Sequence, residues 1–213
     1  MAWSSGLERV PLIGATHAPA GKIVNLLLRL AIFAMSVDAI VNSGDARFAG
    51  KALAPRDVII SFGLAMLFPL FWKLRYQRRQ WHEYPWWFDS LYLSMFAFDM
   101  AGNSFGLYNA YIGEFNDVTH TYGNGAVMIV LAGAFGFTTL EAMGITTMLH
   151  LVLQVEEYYG DKFLGTHNIV GMEGEYQQFI GGLVAVTVCG IIWYSSSGWR
   201  EERAKRLRLP KDR

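Results

Sequence analysis

The sequence predicts an all-α, polytopic transmembrane helical bundle of about six spans, with both termini on the cytoplasmic side. Three observations predict it. Only 17% of the 213 residues are charged and 53% are hydrophobic, well below the roughly one-quarter charged residues of an ordinary soluble domain. The apolar residues are gathered into blocks near the ~20 residues a helix needs to cross a bilayer. The cations between the blocks collect on alternate segments, as the positive-inside rule requires.

Residues 1–22 form an N-terminal cytoplasmic segment ahead of the first span, at 23–41. That block starts too late and runs too long for a signal h-region and follows Pro11 and Pro19, so it is expected to be retained as a span. The second span covers 58–74, with Pro69 as a kink that neighbouring helices can accommodate. The third covers 86–107, the fourth 117–140, the fifth 142–159 and the sixth 177–194. Residues 23–197 form the bundle, and 198–213 form a basic cytoplasmic tail. A soluble bundle would carry Lys and Glu along the outer face of each helix. The stretches AVMIVLAGAFGF and FIGGLVAVTVCGIIWY have no such face.

With the N-terminus inside, the inner segments hold thirteen Lys and Arg and the outer loops hold four, with Arg29 left within the first span. Trp81, Trp86, Trp87, Trp193 and Trp199 then fall at the inner boundary and Tyr108, Tyr111, Tyr158 and Tyr159 near the outer one, as expected of amphipathic rings at headgroup level. The location so predicted is a bacterial cytoplasmic membrane, crossed several times. The 18 cations balance 18 acids, which leaves no basic surplus for nucleic acid. Cys189 is the sole cysteine, so neither an internal disulfide nor a multi-cysteine zinc site can form.

Ionisable side chains within a bilayer cost several kcal/mol unless paired or hydrated, so each needs a reason. Asp99 and Asn103 share one face of the third span. Asp117, His120 and Asn124 share a face of the fourth, where Asp117 would also suit the helix N-cap. Thr146, His150, Gln154, Glu157 and Asp161 follow helical spacing along the fifth. The sixth opens with Glu173, Glu175 and Gln178, and the first contributes Asp38. Span direction brings these to the outer half of the bilayer, where one polar cavity would gather them, with Asp89 near the inner end as the exception. Carboxylates held together in low dielectric raise one another's pKa or recruit a cation. Asp117, His120, Glu157 and Glu175 are the candidate metal ligands, with hard oxygens and an imidazole suited to Zn, Mn or Fe. A divalent metal is the one cofactor this pattern suggests.

The segments EFNDVTHTYGNGAVM, LHLVLQVEEYYGDKFLGT and EGEYQQFIGGLVAV resemble the YjdF-like bacterial membrane proteins and, more distantly, the VanZ-like group. The resemblance covers roughly residues 86–192. It implies a small helical bundle with a polar site: Asp117 and His120 match the start of one helix, and Glu156, Glu157 and Asp161 match the Glu-rich end of the next. Where the family tends to place aspartates at the start of the last helix, this chain has Glu175 and Gln178. No general activity comes with the resemblance.

The leading expectation is a membrane protein whose outer-half cavity binds a cation or a lipid head group. In an enzymatic form Asp99, Asp117, His120 and Glu157 are the catalytic candidates, with Asp99 as proton-accepting carboxylate. A second reading is proton- or cation-coupled transport through Asp99, His150 and Glu157. A third is a non-catalytic subunit whose polar residues lock helices together. Expected partners are membrane lipids and either further copies of the chain or a larger membrane complex.

Overall fold

The computed structural model describes residues 19–48, 62–77, 81, 84–164 and 171–196. Over these residues the chain is all-helical, with eight α-helices, a short 3-10 turn and no strand among the described residues. The helices are α1 (Pro19–Val41), α2 (Gly63–Met66), α3 (Phe68–Arg75), α4 (Trp86–Ser104), α5 (Leu107–Ala110), α6 (Ile112–Gly133), α7 (Thr139–Leu164) and α8 (Met172–Ser195), with the 3-10 turn at Ala46–Phe48. Most of the expected N-terminal segment, the start of the second expected span, Trp199 and the basic tail lie outside the described residues.

Local chemistry explains where these helices depart from the expected spans. The second expected span is two short helices with a turn at Leu67 rather than one kinked helix. Pro69 has no N–H to donate to the Ala65 carbonyl. The chain tightens there instead, with Leu67 N donating to Leu64 O at 3.0 Å before α3 resumes with Phe71 N on Leu67 O at 2.9 Å. Helix α4 stops at Ser104, short of Leu107, because Gly106 takes φ 67°, a left-handed turn that glycine adopts without steric cost.

Helix α6 begins at Ile112 with Tyr111 at its N-cap. Asp117 therefore lies in the second turn and does not cap the helix. Helix α7 opens with a reciprocal cap: Glu141 N donates to Thr138 Oγ1 at 3.3 Å and Thr138 N donates to Glu141 Oε2 at 2.8 Å. It continues for 26 residues, past the expected end at Tyr159.

Side-chain contacts give the directions of the helices. The Trp86 and Trp87 side chains lie against Gly21, and Ile32 clusters with Leu93 and Met100, so α1 and α4 run parallel. Phe98 packs on Phe115 at 5.1 Å while Phe88 lies against Gly133, so α6 runs back along α4. His150 and Met143 lie against Gly182 and Gly190, making α7 antiparallel to α8. Phe88 meets Trp193 at 6.4 Å, which brings Trp86, Trp87 and Trp193 to one end of the bundle. A cluster of Phe68, Trp72, Tyr84, Val130 and Ala134 fills the core near that end.

Helices α1 and α8 carry large apolar residues on their outward faces. Helix α1 buries Gly21, Asn25, Ile32, Ser36 and Ala39 and turns Leu26, Leu27, Leu30 and Phe33 outward, each more than half exposed. Helix α8 buries Gln178 and Gly182 while exposing Ile180, Val184, Val188 and Ile191. A soluble amphipathic helix turns its large apolar residues inward. By length and composition, α1 and the stretch Glu173–Ser195 are apolar enough to cross a membrane.

Candidate functional site

A polar assembly lies between α6, α7 and α8. Positions 146, 150, 154 and 157 recur at helical spacing, so Thr146, His150, Gln154 and Glu157 line one side of α7. Thr146 and His150 are buried. Across from them α6 supplies His120 and Asn124, and α8 supplies Gln178, itself 1% exposed. The His120 and His150 rings lie 5.4 Å apart with their planes inclined by 31°.

Gln154 links the seam. Its Nε2 donates to Gln178 Oε1 at 3.2 Å and lies 3.4 Å from His150 Nε2. An amide nitrogen carries two hydrogens, one for each of these acceptors. The His150 contact is a hydrogen bond in the tautomer that keeps the ring proton on Nδ1. Asn124 Nδ2 donates to the His120 carbonyl at 2.7 Å. His120 Nε2 stands 3.9 Å from Glu157 Oε1, too far for a direct hydrogen bond. Close packing depends on glycine: a Cβ at Gly182 would stand 2.5 Å from the His150 ring and 2.9 Å from Asn124 Nδ2.

Asp99 belongs to a different contact. The Tyr108 hydroxyl donates to Asp99 Oδ1 and lies 3.3 Å from Thr119 Oγ1. Thr119 and His120 are consecutive on α6, so their side chains leave the helix about 100° apart. One faces the Asp99–Tyr108 pair and the other faces α7. The single cavity expected from the sequence is thus divided by the rotation of α6.

The expected ligand set also separates. Asp117 has Glu114, one turn earlier, as a charged neighbour, and Glu175 has Asp161. Among the described residues no three His, Cys, Asp or Glu side chains are arranged to hold a metal ion. Of Asp117, His120, Glu157 and Glu175, His120 and Glu157 approach to 3.9 Å.

Charge pairing that the sequence did not anticipate occurs near both ends. Arg29 Nη2 lies 2.6 Å from Asp89 Oδ2, and Tyr84 OH donates to the same oxygen at 2.7 Å. Arg29 Nε donates to Asn25 Oδ1 at 2.9 Å. Burial, followed by the Asp89 charge, pushes the Tyr84 phenol well above its ordinary range, so it remains a donor. The signal was present: two opposite charges inside apolar blocks of helices running the same way are each costly without the other.

At the opposite end Asp38, expected in the acidic cavity, is paired with Arg47 at 3.2 Å. Arg47 also reaches Asp45 at 3.3 Å and donates to the Ser104 carbonyl. The Asp38 and Asp45 hydrogen bonds, with their charges, raise the Arg47 pKa, and the Arg47 backbone N–H holds the Asp45 carboxyl below its usual range. These contacts tie the end of α1 to the end of α4.

Fold and site together define, over the described residues, an all-helical bundle with a partly buried His–Gln–Glu seam between three helices and separate charged ties near its ends. No family model, curated protein or solved structure matches the chain.

Proposed function

We propose that this chain is a multi-pass integral membrane protein of the bacterial cytoplasmic membrane, with six spans formed by α1, α2–α3, α4, α6, α7 and α8 and with both termini cytoplasmic. One observation carries this reading: α1 and α8 turn most of their large apolar residues outward and bury Asn25, Ser36, Gln178 and Gly182 beside Ile32 and Val186, an arrangement that suits hydrocarbon surroundings. The alternating helix directions and the inner excess of cations support the topology.

The seam of His120, His150, Gln154, Glu157 and Gln178 binds a cation or a lipid head group in the outer half of the bundle. Glu157 supplies the anionic contact and His120 a donor or acceptor beside it. Binding is favoured over transport because Asp89, which would have extended an acidic track toward the inner end, is already held by Arg29 and Tyr84. Membership of the YjdF-like group is part of this reading and rests on the motifs around Asp117–His120 and Glu156–Asp161.

Native mass spectrometry of the detergent-released chain tests the seam. A lipid or cation retained by the wild type should be lost from the His120→Ala, Glu157→Gln double variant. Equal retention by a folded double variant would remove the seam from consideration. Topology is tested by single reporter fusions after residue 164 and after residue 196, which should report opposite sides of the membrane.

A further inference from the structure

Asn25 and Arg29 lie one helical turn apart on α1, so their side chains leave the same face. Arg29 turns one edge of its guanidinium, Nε and Nη2, to two different groups. Nε donates to Asn25 Oδ1 at 2.9 Å and Nη2 to Asp89 Oδ2 at 2.6 Å. An amide of α1 and a carboxylate of α4 therefore stand side by side.

Their hydrogen bonding is lopsided. Asp89 Oδ2 also accepts from Tyr84 OH at 2.7 Å, whereas Asp89 Oδ1 has no donor and Asn25 Nδ2 has no acceptor. Bulk solvent supplies neither, since Asn25 is 2% and Asp89 0% exposed. The Asn25 amide acts on the Asp89 carboxylate, but short of a direct hydrogen bond. The rings of Trp72 and Trp86 pack edge-on against Tyr84 at 5.1 and 4.7 Å, and their indole N–H groups also lack acceptors. Apart from Glu175 Oε1, these are all the buried side-chain polar atoms without partners among the described residues. A native fold leaves few such atoms, so their concentration around one charged pair calls for an occupant.

The two unpartnered atoms of Asn25 and Asp89 select its chemistry. An anion would take the amide hydrogen but be repelled by the carboxylate. A metal cation would take the carboxylate oxygen but give nothing to the N–H, and it would face the Arg29 charge. Water accepts from the one and donates to the other, and buried polar sites of this kind hold water. We propose that a water molecule is bound between Asn25 Nδ2 and Asp89 Oδ1 and completes the Arg29–Asp89–Tyr84 cluster. Asn25 is then the residue that positions this water against the charged pair. The site is separate from the His120 seam and does not depend on what the seam binds.

The test compares infrared spectra of the full-length chain, wild type minus Asn25→Leu, in deuterated water made with ordinary and with heavy oxygen. The difference should contain an O–D band that moves to lower frequency with heavy oxygen, because the oxygen mass enters the vibration of water and not that of a protein N–D group. Asn42→Leu, beyond the opposite end of α1, should retain the band. A difference band that heavy oxygen leaves in place belongs to protein groups and overturns the proposal. So does the absence of any difference from a folded Asn25→Leu variant.

If Asn25→Leu does not fold, a high-resolution density map of the wild type decides. A peak within about 3 Å of both Asn25 Nδ2 and Asp89 Oδ1 upholds the site. Direct contact between those two atoms with no peak overturns it, as does a peak that scatters as a halide or a metal ion.

Discussion

Arg29 and Asp89, sixty residues apart in the chain, meet with Nη2 2.6 Å from Oδ2, and the Asp89 side chain is fully buried. The pair joins α1 to α4 beside the buried Asn25 and Ser90. Removing one partner leaves a buried charge without its counter-charge, which costs about 3–5 kcal/mol. Asp89→Asn and Arg29→Gln should each lower the thermal midpoint of the detergent-purified chain. Arg29→Met combined with Asp89→Leu should recover much of the loss. A single variant as stable as the wild type would show that the pair does not hold the two helices.

Gly182 makes room for the His150 ring. Gly182→Ala should destabilise by about 1–3 kcal/mol, because the added methyl meets the ring and Asn124 with little space to relax. Gly144, also within a helix, has open space where an alanine methyl would stand, with nothing within 4 Å. There alanine should be neutral or stabilise by about 0.5–1 kcal/mol. Thermal melts of the two variants side by side check the contrast, and equal losses would refute the close-packing argument.

The Tyr108 hydroxyl serves Asp99. Tyr108→Phe should cost about 1.5–3 kcal/mol, the usual contribution of a hydrogen bond to a charged group. The same substitution should leave retention of a ligand by the seam unchanged, since the Asp99–Tyr108 pair meets the Thr119 side of α6 and the seam lies on its His120 side. Melting together with native mass spectrometry separates the two effects. Loss of the seam ligand in Tyr108→Phe would reunite the sites that the geometry separates.

Gln154 holds Gln178 within the seam. Gln154→Leu removes its donor and leaves the almost fully buried Gln178 carbonyl oxygen without that bond, at a cost of about 1–3 kcal/mol. Adding Gln178→Leu should restore part of the stability, because both ends of the bond are then apolar. A double variant no more stable than Gln154→Leu would count against the link.

Acid should loosen the Arg47 tie. The Asp45 carboxyl is held below its ordinary pKa, first by the Arg47 backbone N–H. Its contribution is therefore present above the unfolded value of about 3.9 and is lost as pH falls through the lower folded value. Arg47 stays charged throughout. Exchange of the Phe48 amide, which donates to Asp45 O at 2.9 Å, should accelerate relative to its intrinsic rate only in that acid range. Asp45→Asn should flatten the dependence.

The helical class, the order of the long helices and the polar stripe of α7 were legible in the amino acids alone, because these depend on composition and on a repeat of about 3.6 residues. The signals that end the helices were there too, including Pro69, Gly106 and the Thr138–Glu141 cap. Which polar group meets which became definite only when the helices packed. The rotation of α6 sends Thr119 toward Tyr108 and His120 toward His150, and the parallel packing of α1 on α4 gives Asp89 to Arg29. Helical periodicity specifies faces within one segment, whereas the pairing of faces depends on the packing of side chains from segments far apart in the chain. That is why the carboxylates expected in one cavity occupy separate contacts.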